Sequence, residues 1–173
     1  MHCDFTETVR RARQGDADAF GALYSTIYPT LYHVARCALR SPEDAADAVS
    51  DAVLDAFQSI SRLKNEAAFR NWMFTILTAK IKRKQREYAN IPAELTEANS
   101  PAVPFAAVNA ELNAALAKLP DEDRLLLSLQ VLGGYNGKEL AKMFGGTASG
   151  IRSRLMRIRR KLRQDLSDSD ATE

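Results

Sequence analysis

The chain has 173 residues, 46% of them hydrophobic, with 24 Lys and Arg against 22 Asp and Glu for a net charge of +2. That length suits one domain or two small helical ones, and two cysteines without a CxxC pair exclude a disulfide scaffold. The near-neutral total hides charge blocks: residues 43–57 hold five acids and no base, residues 80–86 five bases and no acid, and residues 152–163 seven bases and no acid. Blocks of this kind point to partners of both signs.

The N-terminal "MHCDFTETVRRARQGD" lacks the apolar run of a signal peptide, and no stretch reaches the length of a membrane span. A reduced, cytoplasmic chain without membrane insertion is expected. His2 beside Cys3 offers too few ligands for a metal site.

Phe20, Leu23, Tyr24, Ile27, Leu31, Val34 and Ala38 recur at three- and four-residue steps, which predicts one long amphipathic helix with a kink at Pro29. The next helix begins with Ser41 as N-cap and Pro42 at its first position, and buries Ala45, Val49, Ala52, Val53, Ala56, Phe57 and Ile60. Its Asp44, Asp47, Asp51 and Asp55 are spaced by three, four and four residues, so they share one face. Like charges at those spacings destabilise a helix by about 0.2–0.5 kcal/mol per pair. The helix dipole favours Glu43 and Asp44, but Asp51 and Asp55 lie beyond its reach. A positive group outside this helix, in the chain or on a partner, is expected.

A third stripe, Phe69, Trp72, Met73, Ile76 and Leu77, runs into the basic segment "KIKRKQR". Aromatics among cations can stack on unpaired bases, but the spacing of Trp72 is that of a core residue. Before this helix stand Lys64, Asn65, Arg70 and Asn71, polar groups able to read a base or a phosphate. From about 88 to 106, Pro92, Pro101 and Pro104 with intervening Asn and Ser predict a linker.

Beyond it a helix is expected around 107–118, and Leu119-Pro120-Asp121 breaks it and starts another through Leu125, Leu126, Leu129 and Leu132. Gly133-Gly134 ends that helix. Asn136 and Glu139 form a capping box, Leu140, Ala141, Met143 and Phe144 supply apolar positions, and Gly145-Gly146 makes a turn. Thr147 or Ser149 caps a last helix with the buried stripe Ile151, Leu155, Ile158 and Leu162. A short helix, a glycine turn and a basic helix form a helix-turn-helix. Ser149, Arg152, Ser153, Arg157 and Arg160 project away from the stripe, and Arg154, Arg159, Lys161 and Arg163 flank it. A merely solvated face mixes signs; this one does not, and it suits duplex DNA, with early residues at base edges and later arginines on phosphates.

No catalytic constellation, Walker loop, cofactor site or metal site emerges. Carboxylates strung over eleven residues of a helix cannot converge on one ion. The expected fold class is all-α: two small helical domains joined by a flexible linker, the second a helix-turn-helix.

Four segments, "GDADAFGALYSTIYPTLYHVA", "SPEDAADAVSDAVLDAF", "FRNWMFTIL" and "LPDEDRLLLSL…ELAKMFGGTASGIRSRLMRIRRKLR", follow one another as in an extracytoplasmic-function (ECF) sigma factor, and the chain resembles that family over nearly its whole length. The resemblance implies a region 2 domain (1–88), a linker (89–106) and a region 4 domain (107–173). It implies docking on the β′ clamp helices of core RNA polymerase through Asp44, Asp47 and Asp51, and a second contact at the β flap. It implies that Lys64, Asn65, Arg70 and Asn71 read flipped bases of the −10 element, with Lys80, Lys82, Arg83 and Lys84 on the DNA backbone. Thr147, Ser149, Arg152, Ser153, Arg157 and Arg160 would meet the −35 element. An anti-sigma protein is a further implied partner.

The chain departs from the family pattern in having Ser50-Asp51 for a Gln-Glu pair, Phe57 for Trp, Ala79 and Arg83 for Asn and Asp, Gly137 for an aromatic and Gly150 for Thr. With both basic runs expected on DNA, the acidic face is left for the polymerase. A free-standing helix-turn-helix regulator and a sigma-like decoy for an anti-sigma are the alternatives.

Overall fold

A computed structural model describes residues 5–90 and 110–170, the side chains of 168–170 excepted. His2, Cys3 and most of the expected linker lie outside the described residues. The described residues form eight α-helices and two short 3-10 turns, with no strand among them: α1 (Phe5–Arg13), α2 (Ala17–Ala38), α3 (Pro42–Ser59), the turns Ile60–Arg62 and Glu66–Ala68, α4 (Phe69–Ala89), α5 (Ala110–Ala117), α6 (Asp121–Val131), α7 (Gly137–Phe144) and α8 (Ala148–Asp170).

In the first unit α1 packs on α2, α2 on α3 and α3 on α4. The turn after α1 uses Gly15 at φ +95°, where a side chain would be strained. Asp16 then caps α2 by accepting from the Ala19 N–H at 2.9 Å. Phe20, Leu23, Ile27, Leu31, Val34 and Ala38 are buried as the spacing predicts, and Tyr24 is half-buried. Pro29 lies inside α2, which continues through it to Ala38. Ser41 caps α3 by accepting from the Asp44 N–H at 3.0 Å. Of the expected α3 stripe, Ala45, Val49, Ala52, Ala56 and Ile60 are buried, but Phe57 stands largely in solvent, with its edge against the Phe20 ring. Trp72 is half-buried beside Phe69, a structural position, while Phe74 takes the buried place next to Met73.

α4 runs on to Ala89, past the boundary expected at 88. Its last turn is pinned because Tyr88 reaches back to α3 and donates to Asp44 at 2.6 Å.

The second unit is α5 through α8, with α5 and α7 packed on α8. The capping box is complete: Asn136 accepts from Lys138 and Glu139 N–H at 2.9 and 3.1 Å, and Glu139 accepts from the Asn136 N–H at 2.9 Å. Gly145 and Gly146, at φ +79° and +94°, make the turn that only glycine enters freely. Thr147, rather than Ser149, caps α8 by accepting from the Gly150 N–H at 3.0 Å. Ile151, Leu155, Ile158 and Leu162 form the buried stripe of α8.

The two units meet where α6 lies across the end of α2. A helix leaves its last carbonyls without partners, and here the other half of the chain supplies them. Arg124 of α6 is buried, and its Nε donates to the Cys37 carbonyl at 3.1 Å while Nη1 donates to Leu119 at 2.6 Å. Gln85 of α4 donates to the Ala38 carbonyl at 3.1 Å and to the Asp121 carbonyl at 3.0 Å. A cation at a helix C-terminus also complements the dipole.

Leu140 is the one fully buried residue described in α7. Leu140→Ala is expected to cost about 2–5 kcal/mol in urea unfolding followed by circular dichroism, because nothing else in α7 fills that space.

Candidate functional site

The acidic face of α3 meets the basic run of α4 within the chain. Lys80 pairs with Asp55 at 2.5 Å, Arg83 with Asp51 at 2.8 Å, and Lys84 with Asp44 at 3.1 Å and Asp47 at 3.9 Å. The bases expected on DNA and the acids expected at a partner thus pair with each other within the chain. Antiparallel packing lays the two charged stripes side by side, so each relieves the repulsion of the other. Two departures from the family pattern, Asp51 and Arg83, are partners in this seam.

Asp44 is its most embedded member. Burial pushes its carboxyl up, but hydrogen bonds from Tyr88, Lys84 and Ser41 outweigh this and hold it below the ordinary carboxylate range. The same bond to Asp44 raises the Lys84 ammonium, and burial followed by that carboxylate raises the Tyr88 phenol. Tyr88 also accepts from the Arg40 N–H at 3.4 Å, and the Arg40 guanidinium lies 4.8 Å from the centre of its ring. At the other extreme Asp47 is 71% exposed, with a single distant partner. Leu54 and Phe57 are exposed on the same helix, an apolar flank that the sequence reading missed because Phe57 fell on the expected core stripe.

The residues expected at the −10 element divide three ways. Lys64 is exposed, and Asn65 is exposed with its side chain accepting from the Ala67 N–H at 3.0 Å. Lys80, Arg83 and Lys84 belong to the acid–base seam. Arg70, Asn71 and Lys82 are engaged by the second unit. Arg70 donates to the Gly133 carbonyl at 2.7 Å, between the rings of Phe74 and Tyr135 at 5.0 and 5.7 Å. Asn71 reaches Glu139 at 3.5 Å. Lys82 donates to the Met143 carbonyl at 3.2 Å, 4.1 Å from the centre of the Phe144 ring, and burial there lowers its ammonium.

The residues expected at the −35 element share one surface. Thr147, Ser149, Arg152, Ser153, Arg157 and Arg160 are all exposed along the start and outer face of α8. Among the described residues no carboxylate pairs with Arg152, Arg157 or Arg160. Arg154, by contrast, is held by Glu122 and Asp123 at 2.7 Å, and Arg159 donates to Gln130 at 2.9 Å. A Cβ at Gly137 would touch the Ala148 carbonyl at 3.4 Å and Arg152 Cγ at 3.5 Å, so the missing side chain leaves room beside a candidate reading residue. Lining that space are Asn136, Gly137, Lys138, Ala148 and Arg152. Among the described residues no His, Cys, Asp and Glu cluster could hold a metal, and no helix is long and apolar enough to cross a membrane.

The depressed Asp44 carboxyl fixes a sign. A carboxylate with a lower pKa folded than unfolded adds stability above its unfolded pKa and loses it as pH falls through the folded one. Asp44→Asn is expected to unfold at lower urea than the parent at neutral pH, with the gap closing below about pH 4. A urea series across pH checks this.

Comparison with known proteins gives a consistent outcome. Residues 23–90 match Sigma-70 region 2, and residues 109–162 match Sigma-70, region 4. The chain is 31% identical over 151 residues to the ECF RNA polymerase sigma factor SigM of Mycobacterium tuberculosis, covering 86% of this chain and 77% of that protein. Among solved structures it is similar to CnrH in complex with the cytosolic domain of CnrY, with a TM-score of 0.71 and 25% identity over 96% of this chain and 98% of that one. It also shares the fold of the sigma factor RpoE, solved with the anti-sigma factor NepR from Bartonella quintana, with a TM-score of 0.70 and 20% identity over 86% of this chain and 96% of that one.

Proposed function

The chain belongs to the ECF sigma factors of RNA polymerase, and from that premise we propose how its residues divide the work of an alternative sigma factor. Such a factor binds core RNA polymerase and directs it to promoters. The observation that carries the division is the outer face of α8, where Arg152, Arg157 and Arg160 stand exposed and have no carboxylate partner among the described residues. They lie beside Thr147, Ser149 and Ser153, at the start of the second helix of a helix-turn-helix. Region 4 (107–173) reads the −35 element with this face: Arg152 and the hydroxyl residues at base edges, Arg157 and Arg160 on phosphates.

Region 2 (1–88) takes the −10 element. Flipping a base from the stack costs a few kcal/mol, so a pocket and a cationic track are needed together. Lys64, Asn65, Arg70 and Asn71 form the pocket edge, Lys82 lies on the backbone track, and Lys80, Arg83 and Lys84 join it where they part from the acids of α3. The linker (89–106) connects the two readers. Asp47 and Asp51, with Asp44 behind them, dock on the β′ clamp helices, and the β flap takes region 4. The exposure of Asp47 and its apolar neighbours Leu54 and Phe57 supports this, since a docking face needs charge that is still available and apolar area to bury.

The factor works in the cytoplasm, without catalysis of its own, and is restrained by an anti-sigma protein. Support for the last point is the likeness to CnrH and RpoE, each solved with another chain seated on it. A free-standing regulator would have no use for a region 2, which the match at residues 23–90 supplies.

Asp47→Lys is expected to weaken binding to core polymerase while leaving thermal stability and duplex affinity near the parent, measured by co-elution with core and by melting. Unchanged co-elution would remove the docking assignment. Arg152→Ala is expected to cost about 1–3 kcal/mol and relax sequence preference at the upstream element, whereas Arg160→Ala lowers the salt slope by about one. Run-off transcription on a randomised promoter library with core polymerase, together with a salt titration of duplex binding, separates the two effects.

A further inference from the structure

The two readers touch, and promoter geometry forbids them to touch while reading. Elements centred at −35 and −10 lie about 25 base pairs apart, roughly 85 Å along the duplex at ~3.4 Å per base pair. Yet Asn71 of the −10 face lies 3.5 Å from Glu139 of the helix-turn-helix, and Arg70 and Lys82 are bonded to the Gly133 and Met143 carbonyls. We propose that the free chain rests in a self-closed form in which region 4 occupies its own −10 reading face, withholding Arg70, Asn71 and Lys82 from DNA until α6 is released from α2. The inference rests on the assignment of those three residues to the −10 element.

The contact imitates what it displaces. Arg70 is held as a guanidinium against two aromatic rings and a carbonyl, and Lys82 lies over the face of the Phe144 ring near another carbonyl, π-faces and oxygens such as a base and its backbone would offer. Opening also removes costs. The Tyr135 hydroxyl is buried at this contact without a hydrogen-bond partner, and burial pushes the phenol up to about 12. Lys82 is desolvated without a carboxylate within ion-pairing distance among the described residues. A buried polar group without a partner is a penalty that solvent relieves. The holding bonds lie elsewhere, on residues with no role in reading: Arg40 to Asp121 at 3.4 Å, Gln85 to the Ala38 and Asp121 carbonyls, and buried Arg124 to the end of α2. Latch and reading face are thus separate, and one can be altered without the other.

The test uses the full chain carrying Arg40→Ala with Gln85→Ala and, as a second variant, Arg124→Met, both checked for parental helicity. Small-angle scattering reports opening, and a short fluorescein-labelled single-stranded DNA of mixed sequence reports access to the reading face. If the open form is about a tenth of the free chain, release raises apparent affinity about tenfold. The expected result is a larger radius of gyration, that gain in affinity, and its loss when Arg70→Ala is added. No expansion in either variant overturns the latch. Expansion with unchanged affinity overturns the occlusion while leaving the reading role of Arg70 intact, provided that Arg70→Ala still weakens binding. If Arg70→Ala has no effect in the expanded chain, the −10 assignment fails and the inference with it.

Discussion

Arg124 sets the form of the whole molecule. A guanidinium buried in the second unit supplies hydrogen bonds and positive charge to the C-terminal end of α2 in the first, 87 residues away in sequence. Taken out of water, a guanidinium must satisfy its donors or it destabilises whatever buries it. Here they go to the Cys37 and Leu119 carbonyls and to the Asp121 carboxylate. The end of α2 and the start of α6 therefore complete each other, and neither helix terminus is satisfied in the same way once the units part. The proposed opening of the chain would have to break that shared terminus before it uncovers α4.

The seam between α3 and α4 works on a different scale. Its pairs are mostly half-exposed, and surface ion pairs are typically worth about 0–1 kcal/mol each, so the seam orders the charges more than it holds the fold. Asp44, Lys84 and Tyr88 at its closed end fix the last turn of α4. Asp47, Asp51 and Asp55 at its open end keep much of their exposure. A polymerase surface that approaches the acids and a DNA backbone that approaches the bases would each meet a charge already partly compensated. The departures at Asp51 and Arg83 face each other at 2.8 Å, and Arg83, standing where the family pattern has an acid, turns what would be a repulsion with residue 51 into an ion pair.

The helices were legible from the sequence because their causes are local. The stripe Ile151, Leu155, Ile158 and Leu162, the capping box of Asn136 and Glu139, the cap at Ser41 and the turn at Gly145-Gly146 are each set within a few residues. So was the exposed basic face of α8, since seven bases without an acid cannot hide on a buried stripe. What the sequence concealed was long-range pairing. Lys84 and Asp44 stand 40 residues apart, and nothing in either segment says that α3 and α4 run side by side in that register. Tyr88 read as the start of a linker because its partner is on α3. Arg124 carries the contact between units, yet nothing in the leucine pattern around it singles it out. Phe57 fit the apolar period of α3 yet lies on its exposed edge.

On the proposal of self-closure, the contact between the helix-turn-helix and α4 withholds Arg70, Asn71 and Lys82 from DNA in the free chain. Measuring the distance between α2 and α8 decides this most directly. Spin labels at Ser25→Cys and Gln164→Cys, in a Cys3→Ser background that leaves buried Cys37 in place, report it by pulsed electron–electron resonance. A single short distance in the free chain, replaced by one longer by tens of ångströms (roughly, given ~3.4 Å per base pair between the elements) on adding core polymerase and promoter DNA, is the result that self-closure requires. The same distance in both states, or a broad distribution already present in the free chain, would contradict it.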